Sequence, residues 1–564
     1  MARSLGPALS LRLLVFHLSV VVAALEQKAH IVYLGDRPRD ENKDSMQELH
    51  NIYFIVVSIF LSQQRQLHTT RSWNLMGFPA NLPRSYFETE VIVGMLDTGI
   101  WPEPKSFNDD GFGPAPQKWK GICQSNHNFT CNNLQGLLGP LSDVDILAAF
   151  DDAIADGVDI ISISIGDGVA HDYFTDPIAI GSFHATKNGI LVSSSVGNLG
   201  PKRSTVVNVA PWLVSVAAST IDRKLVAGVN LGDGQVFQGL ALNTDGSGGT
   251  LYPLIYVGNA PNKFCAKGSL DAELSRRKVI ICNTESFGYG PQLAGAVAAI
   301  LRRDGVNDVA LEFALPVSVP GVNYSESVLQ YANKTSNPTA IVSKSEGVFY
   351  KAATYVASFS SRGPNRITHN ILKPDLAAPG VDILAAWPPI NAEKESVSYN
   401  IISGTSMACP NVTAVAAYIK SFNPTWSPAA IQSELITTTY IMNSTKNADA
   451  EFSYGAGNVN PVAALNPGLV YDADEGDYVK FLCGEGTVAN VRTPNSTYQV
   501  NVIAPPAGLL ITVEPQVLAF ESLREKKSSV VKHEGETSST VLAALIWSDG
   551  KHNVRSPVVV YTSS

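Results

Sequence analysis

The sequence predicts an α/β protein whose main domain is a parallel sheet flanked by helices, followed by a β-rich C-terminal part. Three observations carry this. Val91-Ile92-Val93-Gly94-Met95-Leu96-Asp97 is a continuous apolar run closed by an acid, the pattern of a strand buried on both faces in a parallel sheet. Ser142-Asp143 cap a segment in which Val144, Leu147, Phe150 and Ile154 recur at helical spacing up to Gly157, and a second apolar run, Val158 to Gly166, follows at once. Beyond about Asn466 helical spacing gives way to β-type segments: Gly508 to Val513, Leu545-Ile546-Trp547 and Val558-Val559-Val560-Tyr561.

Length and composition bound what surrounds these elements. A chain of 564 residues exceeds one hydrophobic core, and 45% hydrophobic with 16% charged residues is ordinary globular material. The net charge of -9 and pI near 5.6, with no run of Lys or Arg, argue against a nucleic-acid or anionic-membrane partner. Leu11 to Ala24 is a short apolar stretch behind Arg3 and Arg12 that closes on small residues, the pattern of a cleaved secretory leader at residues 1–24 and not of a spanning helix. A secreted, extracellular protein is expected. Of the six cysteines, Cys123 with Cys131 and Cys265 with Cys282 are close enough in sequence to staple loops, and Cys409 reads as a small buried thiol. Asn128, Asn323, Asn333, Asn443 and Asn495 begin glycosylation sequons; Asn411 does too, but inside an expected core helix.

Taken in order, His30 to Gly35 reads as a strand and Asn51 to Ser62 holds a second apolar run. Leu191 to Asn198 is another buried strand with a polar end, where Asn198 alone would read as a turn residue. From about Asp245 to Gly347 the pattern changes to short strands and turns, with Lys278 to Cys282 a strand and Ala294 to Leu301 a helix of small residues. Ser403 to Pro410 precedes the apolar run Val412 to Ile419, which places a serine at the first turn of a buried helix, with Pro410 in that turn. Ser427-Pro428 opens a last helix. Read singly, Asp97 and Ser406 are capping residues.

The string Gly404-Thr405-Ser406-Met407-Ala408-x-Pro410 resembles the nucleophile motif of the subtilisin-like serine proteases. Asp97-Thr98-Gly99-Ile100-Trp101-Pro102-Glu103 resembles the catalytic-aspartate segment of their plant members, and Ala357 to Asn365 and Lys373 to Gly380 are further likenesses. The resemblance, which at Ser548 to Pro557 extends to the C-terminal end of cucumisin-type enzymes, implies a subtilisin-like α/β fold and hydrolysis of protein or peptide substrates without cofactor or metal. It implies Ser406 as nucleophile, Asp97 as the orienting acid, Asn198 as oxyanion donor, and Ser164-Ile165-Gly166 as a wall of the substrate cleft. It further implies a shortened inhibitory propeptide at 25–68 and a peptidase domain at 69–465. A protease-associated domain is implied at 245–347, and a truncated fibronectin-III-like β-sandwich at 466–564.

One residue of the pattern is missing. Serine attack needs a base beside the hydroxyl, which the resembled family supplies as His-Gly-Thr-His, and no such string exists in this chain. Asn132-Asn133 runs through Leu134 to Pro140 straight into the helix at Ser142. His127 lies ahead of this gap, inside the Cys123–Cys131 stretch, and is a poor substitute because a base must be fixed within about 3 Å of its nucleophile. Asn411 stands where the resemblance leads one to expect a histidine. In subtilisin itself, loss of the histidine costs about 10⁶ in kcat and leaves about 10³ to 10⁴ over water. The expectation is therefore a secreted subtilisin-like serine endopeptidase acting through an acyl-enzyme on Ser406, read here through an incomplete transcript or gene model that leaves out the base. A catalytically inactive homologue that binds peptides or proteins is the alternative.

Overall fold

The structure is a computed structural model, and it describes residues 30–33, 58–61, 72–78, 85, 90–100, 104–108, 113–121, 142–258, 262–283, 288–303, 308–388, 398–447, 449–481, 488–490, 494–503, 510–523, 525–534 and 540–560. The expected leader at 1–24, the Cys123–Cys131 stretch with His127, and the junction up to Pro140 lie outside the described residues. The chain divides into two units, residues 1–67 and 68–564. In the first, His30–Tyr33 pairs antiparallel with Ser58–Leu61, His30 opposite Leu61.

The second unit is organised on a five-stranded parallel sheet. Its spatial order is Leu376–Pro379, Val214–Ser219, Leu191–Ser195, Ile160–Ile163 and Val93–Leu96. Four of these strands are buried along their whole length, which is why they consist of apolar and small residues without a polar alternation. Residues alternate between two cores. Ile161, Ile163 and Val192 face the helices Asp143–Asp156 and Pro177–Lys187; Ile160, Leu191, Val214 and Val216 face the long helix Thr405–Phe422.

The first helix keeps the boundaries its sequence announces. Ser142 and Asp145 cap it reciprocally, and Gly157 ends it at φ 78. Its inward stripe, however, is Ile146, Phe150 and Ala153, while Val144 is 74% exposed. The reason is on the neighbouring helix, where Gly181 leaves the gap that Phe150 fills; a Cβ at Gly181 would overlap that ring.

The strand Val93–Leu96 departs from expectation. It is not buried on both faces: Val93 is 37% and Met95 is 56% exposed. Register places Val93 beside Ile160 and Met95 beside Ser162, on the face that Thr405–Phe422 covers over the other four strands. Val93–Leu96 is the last strand of the sheet, and among the described residues nothing pairs with its far side.

Between Val214–Ser219 and Leu376–Pro379 the chain forms a closed seven-stranded barrel, from Arg223–Leu231 to Thr339–Phe349. Its first two strands, Arg223–Leu231 and Val236–Leu240, lie upstream of residue 245, so the barrel begins earlier than the composition change. The expected helix over Ala294 to Leu301 is a strand in part. Ala298–Leu301 is fully buried and runs parallel to Val279–Cys282, and the helix is Tyr289–Leu293. A short apolar run fits either element, and pairing with a buried neighbour decides it. Cys265 and Cys282 are disulfide-bonded. In the C-terminal part, Val517–Phe520, Ser496–Ile503, Val541–Ser548 and Asn553–Val560 form an antiparallel sheet over a core that includes Tyr498, Phe520 and Trp547, to which Ile511 and Val513 of a second sheet contribute.

Lys373 and Asp375 tie the edge strand Leu376–Pro379 to its neighbour from within. Lys373, 1% exposed, donates to the Asp375 carboxylate at 2.6 Å and to the Leu213 carbonyl at 3.0 Å; Asp375 accepts from the Ser215 amide at 2.7 Å. Burial pushes the lysine down and the aspartate up from their ordinary values, each opposed by the partner's charge. Lys373→Met, which strands the carboxylate, is expected to cost about 3–5 kcal/mol in urea unfolding.

Candidate active site

Parallel strands deliver their following residues to one end of a sheet, where α/β proteins bind ligands. Here Asp97 follows Leu96, Ser164 follows Ile163, and Asn198 lies three residues beyond Ser195, on three adjacent strands. The helix Thr405–Phe422 approaches the same end with Gly404 as its N-cap and Ser406 as its second residue. Its unpaired amides and the positive end of its dipole favour developing negative charge.

Pro410 is the sixth residue of this helix, not part of its first turn as expected. A proline there has no N–H to give to the carbonyl four residues back, which is that of Ser406. The Ser164 hydroxyl supplies the missing donor at 3.1 Å, and the Ser406 hydroxyl donates in return to the Ser164 carbonyl at 3.3 Å. The helix thus tolerates its proline because the sheet takes over one helical hydrogen bond, and that exchange docks Ser406 against Ser164.

Asn198 is oriented by a neighbour of the serine. The Thr405 amide can only donate, and it lies 3.0 Å from one end of the Asn198 carboxamide; that end must be oxygen. The Thr405 hydroxyl donates to the same oxygen at 2.9 Å. The Asn198 NH2 group is therefore the end left to face outward, near Gly404.

Behind Ser164-Ile165-Gly166 sits a residue that the sequence alone does not single out. Asn208, 4% exposed and at φ 55, spends both amide hydrogens at 2.8 Å: one on the Ile165 carbonyl and one on the Ser195 carbonyl. It fastens Ser164-Ile165-Gly166 to the strand that carries Asn198. Its signal was available, a lone amide inside the apolar run Val206-Val207-Asn208-Val209-Ala210. Gly166 is also needed where it is, since a Cβ there would meet Val207 and Asn208 at 3.1 and 3.2 Å.

The expected small thiol is found as such. Cys409 is fully buried against the hydroxyls of Ser162 and Ser193, and burial holds the thiol neutral. Asn411 gives its amide hydrogens to the carbonyls of Pro379 and Met407, a helix-to-sheet tie. Asp97 is exposed, and among the described residues its carboxylate accepts only from Thr98, through the amide at 2.7 Å and weakly through the hydroxyl. The structure thus bonds Ser406 to Ser164 and Asn198 to the adjacent Thr405, and leaves Asp97 outside this group. No histidine among the described residues hydrogen-bonds Ser406 or Asp97; His171 pairs with Asp167 and His552 with Asp549.

Comparison with known proteins gives the family. Residues 128–458 match the subtilase family, and residues 483–560 match the fibronectin type-III domain. The chain belongs to the subtilase family. It is 38% identical to subtilisin-like protease SBT4.3 of Arabidopsis thaliana and 39% identical to SBT4.6 of the same plant, each match covering 90% of this chain and 86% of the relative. Among solved structures it is similar to the psychrophilic subtilisin-like protease Apa1 from Pseudoalteromonas sp. AS-11, with 15% identity over 70% of this chain and 97% of that chain and a TM-score of 0.34. The match to SBT4.3 spans 631 residues, more than this subtilase's 564, so the relative carries residues inside the matched span that have no counterpart here. Ser164, Asn198 and Ser406 lie within the family match, and Asp97 lies ahead of it.

Asn208→Asp replaces two buried donors by acceptors facing two carbonyls. The expected loss of stability is about 3 kcal/mol or more in chemical unfolding at neutral pH, larger than for Asn208→Ala.

Proposed function

We propose that this subtilase is built for peptide-bond hydrolysis through an acyl-enzyme on Ser406, and that as written it binds extended peptides in a cleft whose general base is absent. The observation that carries this is the meeting of Ser406 bonded to Ser164 and Asn198 bonded to Thr405 at the helix N-terminus. A peptide laid along Ser164-Ile165-Gly166 presents its carbonyl carbon to the Ser406 hydroxyl. The Asn198 NH2 group and the first turn of Thr405–Phe422 then stabilise the oxyanion. Attack must release the hydroxyl proton, which Ser406 donates in a hydrogen bond to the Ser164 carbonyl; a carbonyl accepts a hydrogen bond but is far too weak a base to take a proton. Asp97, with a carboxylate engaged only by Thr98 among the described residues, has acceptor capacity left to orient an imidazole.

The excess length of the relatives' match supports an omitted histidine-bearing segment, and sequencing the transcript across Asn133 to Ser142 tests that directly. The uncovered edge at Val93 and Met95 favours the second reading for the chain as it stands, a peptide-binding homologue without turnover. We assign the inserted barrel as the protease-associated domain. The apolar leader supports export to the extracellular space, and the sequon residues Asn323, Asn333, Asn443 and Asn495 are all exposed, as glycosylation requires. Among the described residues no helix is long and apolar enough to cross a membrane.

Hydrolysis of a peptide substrate by the purified chain and by Ser406→Ala separates these roles. The expected outcome is a similar residual rate for both, on the order of 10³ to 10⁴ over water, with peptide binding retained. A rate about 10⁵-fold or more above that residue, abolished in Ser406→Ala, would show that a base is supplied from elsewhere in the chain.

A further inference from the structure

The inserted barrel reaches the peptidase sheet through a short stretch, Asp308-Val309-Ala310. Asp308, 4% exposed, accepts from the Ser358 amide and hydroxyl at 2.6 and 2.7 Å. Val309 packs on the core beneath Thr405–Phe422. The Ala310 amide donates to the Asp382 carboxylate at 3.1 Å, and Arg223, first residue of the barrel's first strand, donates to the Asp382 carbonyl.

Asp382 is an unusual residue for its place. It is 1% exposed, carries a carboxylate and holds φ at 54, where asparagine or glycine would sit without charge and with less strain. It stands directly before the hairpin of Ile383–Ala386 with Tyr399–Ile402, and Ser403 stands directly after it. The two residues close the hairpin's base: the Asp382 amide donates to the Ser403 hydroxyl at 2.8 Å, and that hydroxyl donates to the Asp382 carboxylate at 3.3 Å. Gly404 is held alongside by its amide's bond to the Gly380 carbonyl at 2.9 Å. One carboxylate oxygen thus accepts from the barrel and from the segment that leads, three residues later, to Ser406.

We propose that Asp382 is a positioning residue through which the inserted barrel fixes the segment Ser403–Thr405, and with it the setting of Ser406. The titratable and charged groups facing it are Arg223 from the barrel's first strand, Asp308 from the barrel's contact stretch, and Tyr355, which burial and the charges of Asp308 and Asp382 keep neutral. Burial pushes Asp382 up to about 6, against the Ala310 hydrogen bond, the Arg223 charge and the Ser403 hydroxyl. The sign follows. A carboxylate raised in the folded state costs stability when ionised, and that cost is withdrawn as pH falls through about 6 toward 4. Its grip on Ala310 and Ser403 runs the other way, because the ionised form is the stronger acceptor. Global stability and local fixity therefore move in opposite directions with pH, which a residue that merely fills space would not produce.

Hydrogen–deuterium exchange over residues 398–408 of the full chain, corrected for intrinsic rates, reads the local term between about pH 7.5 and about pH 5. In the wild type, exchange at Ser403–Thr405 is expected to rise about tenfold as pH falls across this range. Asp382→Asn should be fast and flat, with a thermal midpoint at about pH 7.5 no lower than the wild type's. Ala310→Pro, which removes only the barrel's donor, should also be fast at Ser403–Thr405. The inference is overturned if Asp382→Asn follows the wild-type profile, or if a folded Ala310→Pro protein exchanges as slowly as the wild type. Where Ala310→Pro fails to fold, the Asp382→Asn profile decides alone. No substrate is present, so the outcome is independent of whether Ser406 turns over peptide.

Discussion

A proline inside a helix sets the geometry of this cleft. Pro410 withholds the amide that would bond the Ser406 carbonyl, and the Ser164 hydroxyl takes its place. The fold needs that exchange, since a buried carbonyl without a donor is costly. Satisfying it brings the helix N-terminus against the end of a particular strand, with the Ser406 hydroxyl bonded to Ser164 in return. Thr405 then fixes which end of Asn198 faces outward, and Asn208 binds the two strand ends together from behind. The Ser406 hydroxyl is thus positioned by ordinary backbone bookkeeping at a helix end.

The same economy runs through the buried polar residues. The Lys373–Asp375 pair bonds Leu213 and Ser215, Asp308 bonds Ser358, and Asp382 bonds Ser403, each joining segments separated along the chain around the sheet. Apolar packing makes the sheet and its two helical layers stable, but it is nondirectional. Hydrogen-bonded charges fix orientation, and three of these lie within the Ala357–Asn365, Lys373–Gly380 and Ser403–Pro410 stretches or beside them.

Much of this was legible in the sequence. Unbroken apolar runs gave the buried strands, and Ser142, Gly157 and Ser427-Pro428 marked helix ends that the structure keeps. Ser406, Asn198 and Ser164 were readable as a set only through the resemblance of the surrounding motifs to the subtilisin-like serine proteases, since Ser406 and Asn198 singly read as capping and turn residues. What was not legible depended on partners far along the chain. The Ala298–Leu301 run is a strand only because Val279–Cys282 lies beside it, and Val144 faces water only because Gly181 makes room for Phe150 instead. Pro410 looked like a first-turn residue because its compensating donor comes from Ser164, distant in sequence. Asn208 and Asp382 escaped for the same reason: an amide and a carboxylate in apolar stretches declare a role only when their hydrogen-bond partners are known.

The outer edge of the sheet carries a consequence of its own. Among the described residues Val93–Leu96 has a partner on one side only, with Val93 and Met95 uncovered. An open strand with apolar side chains is a template for further strand pairing, and natural sheets shield such edges with charge, bulges or a covering element. Here the edge ends at Asp97, so any backbone that adds to it arrives beside that carboxylate.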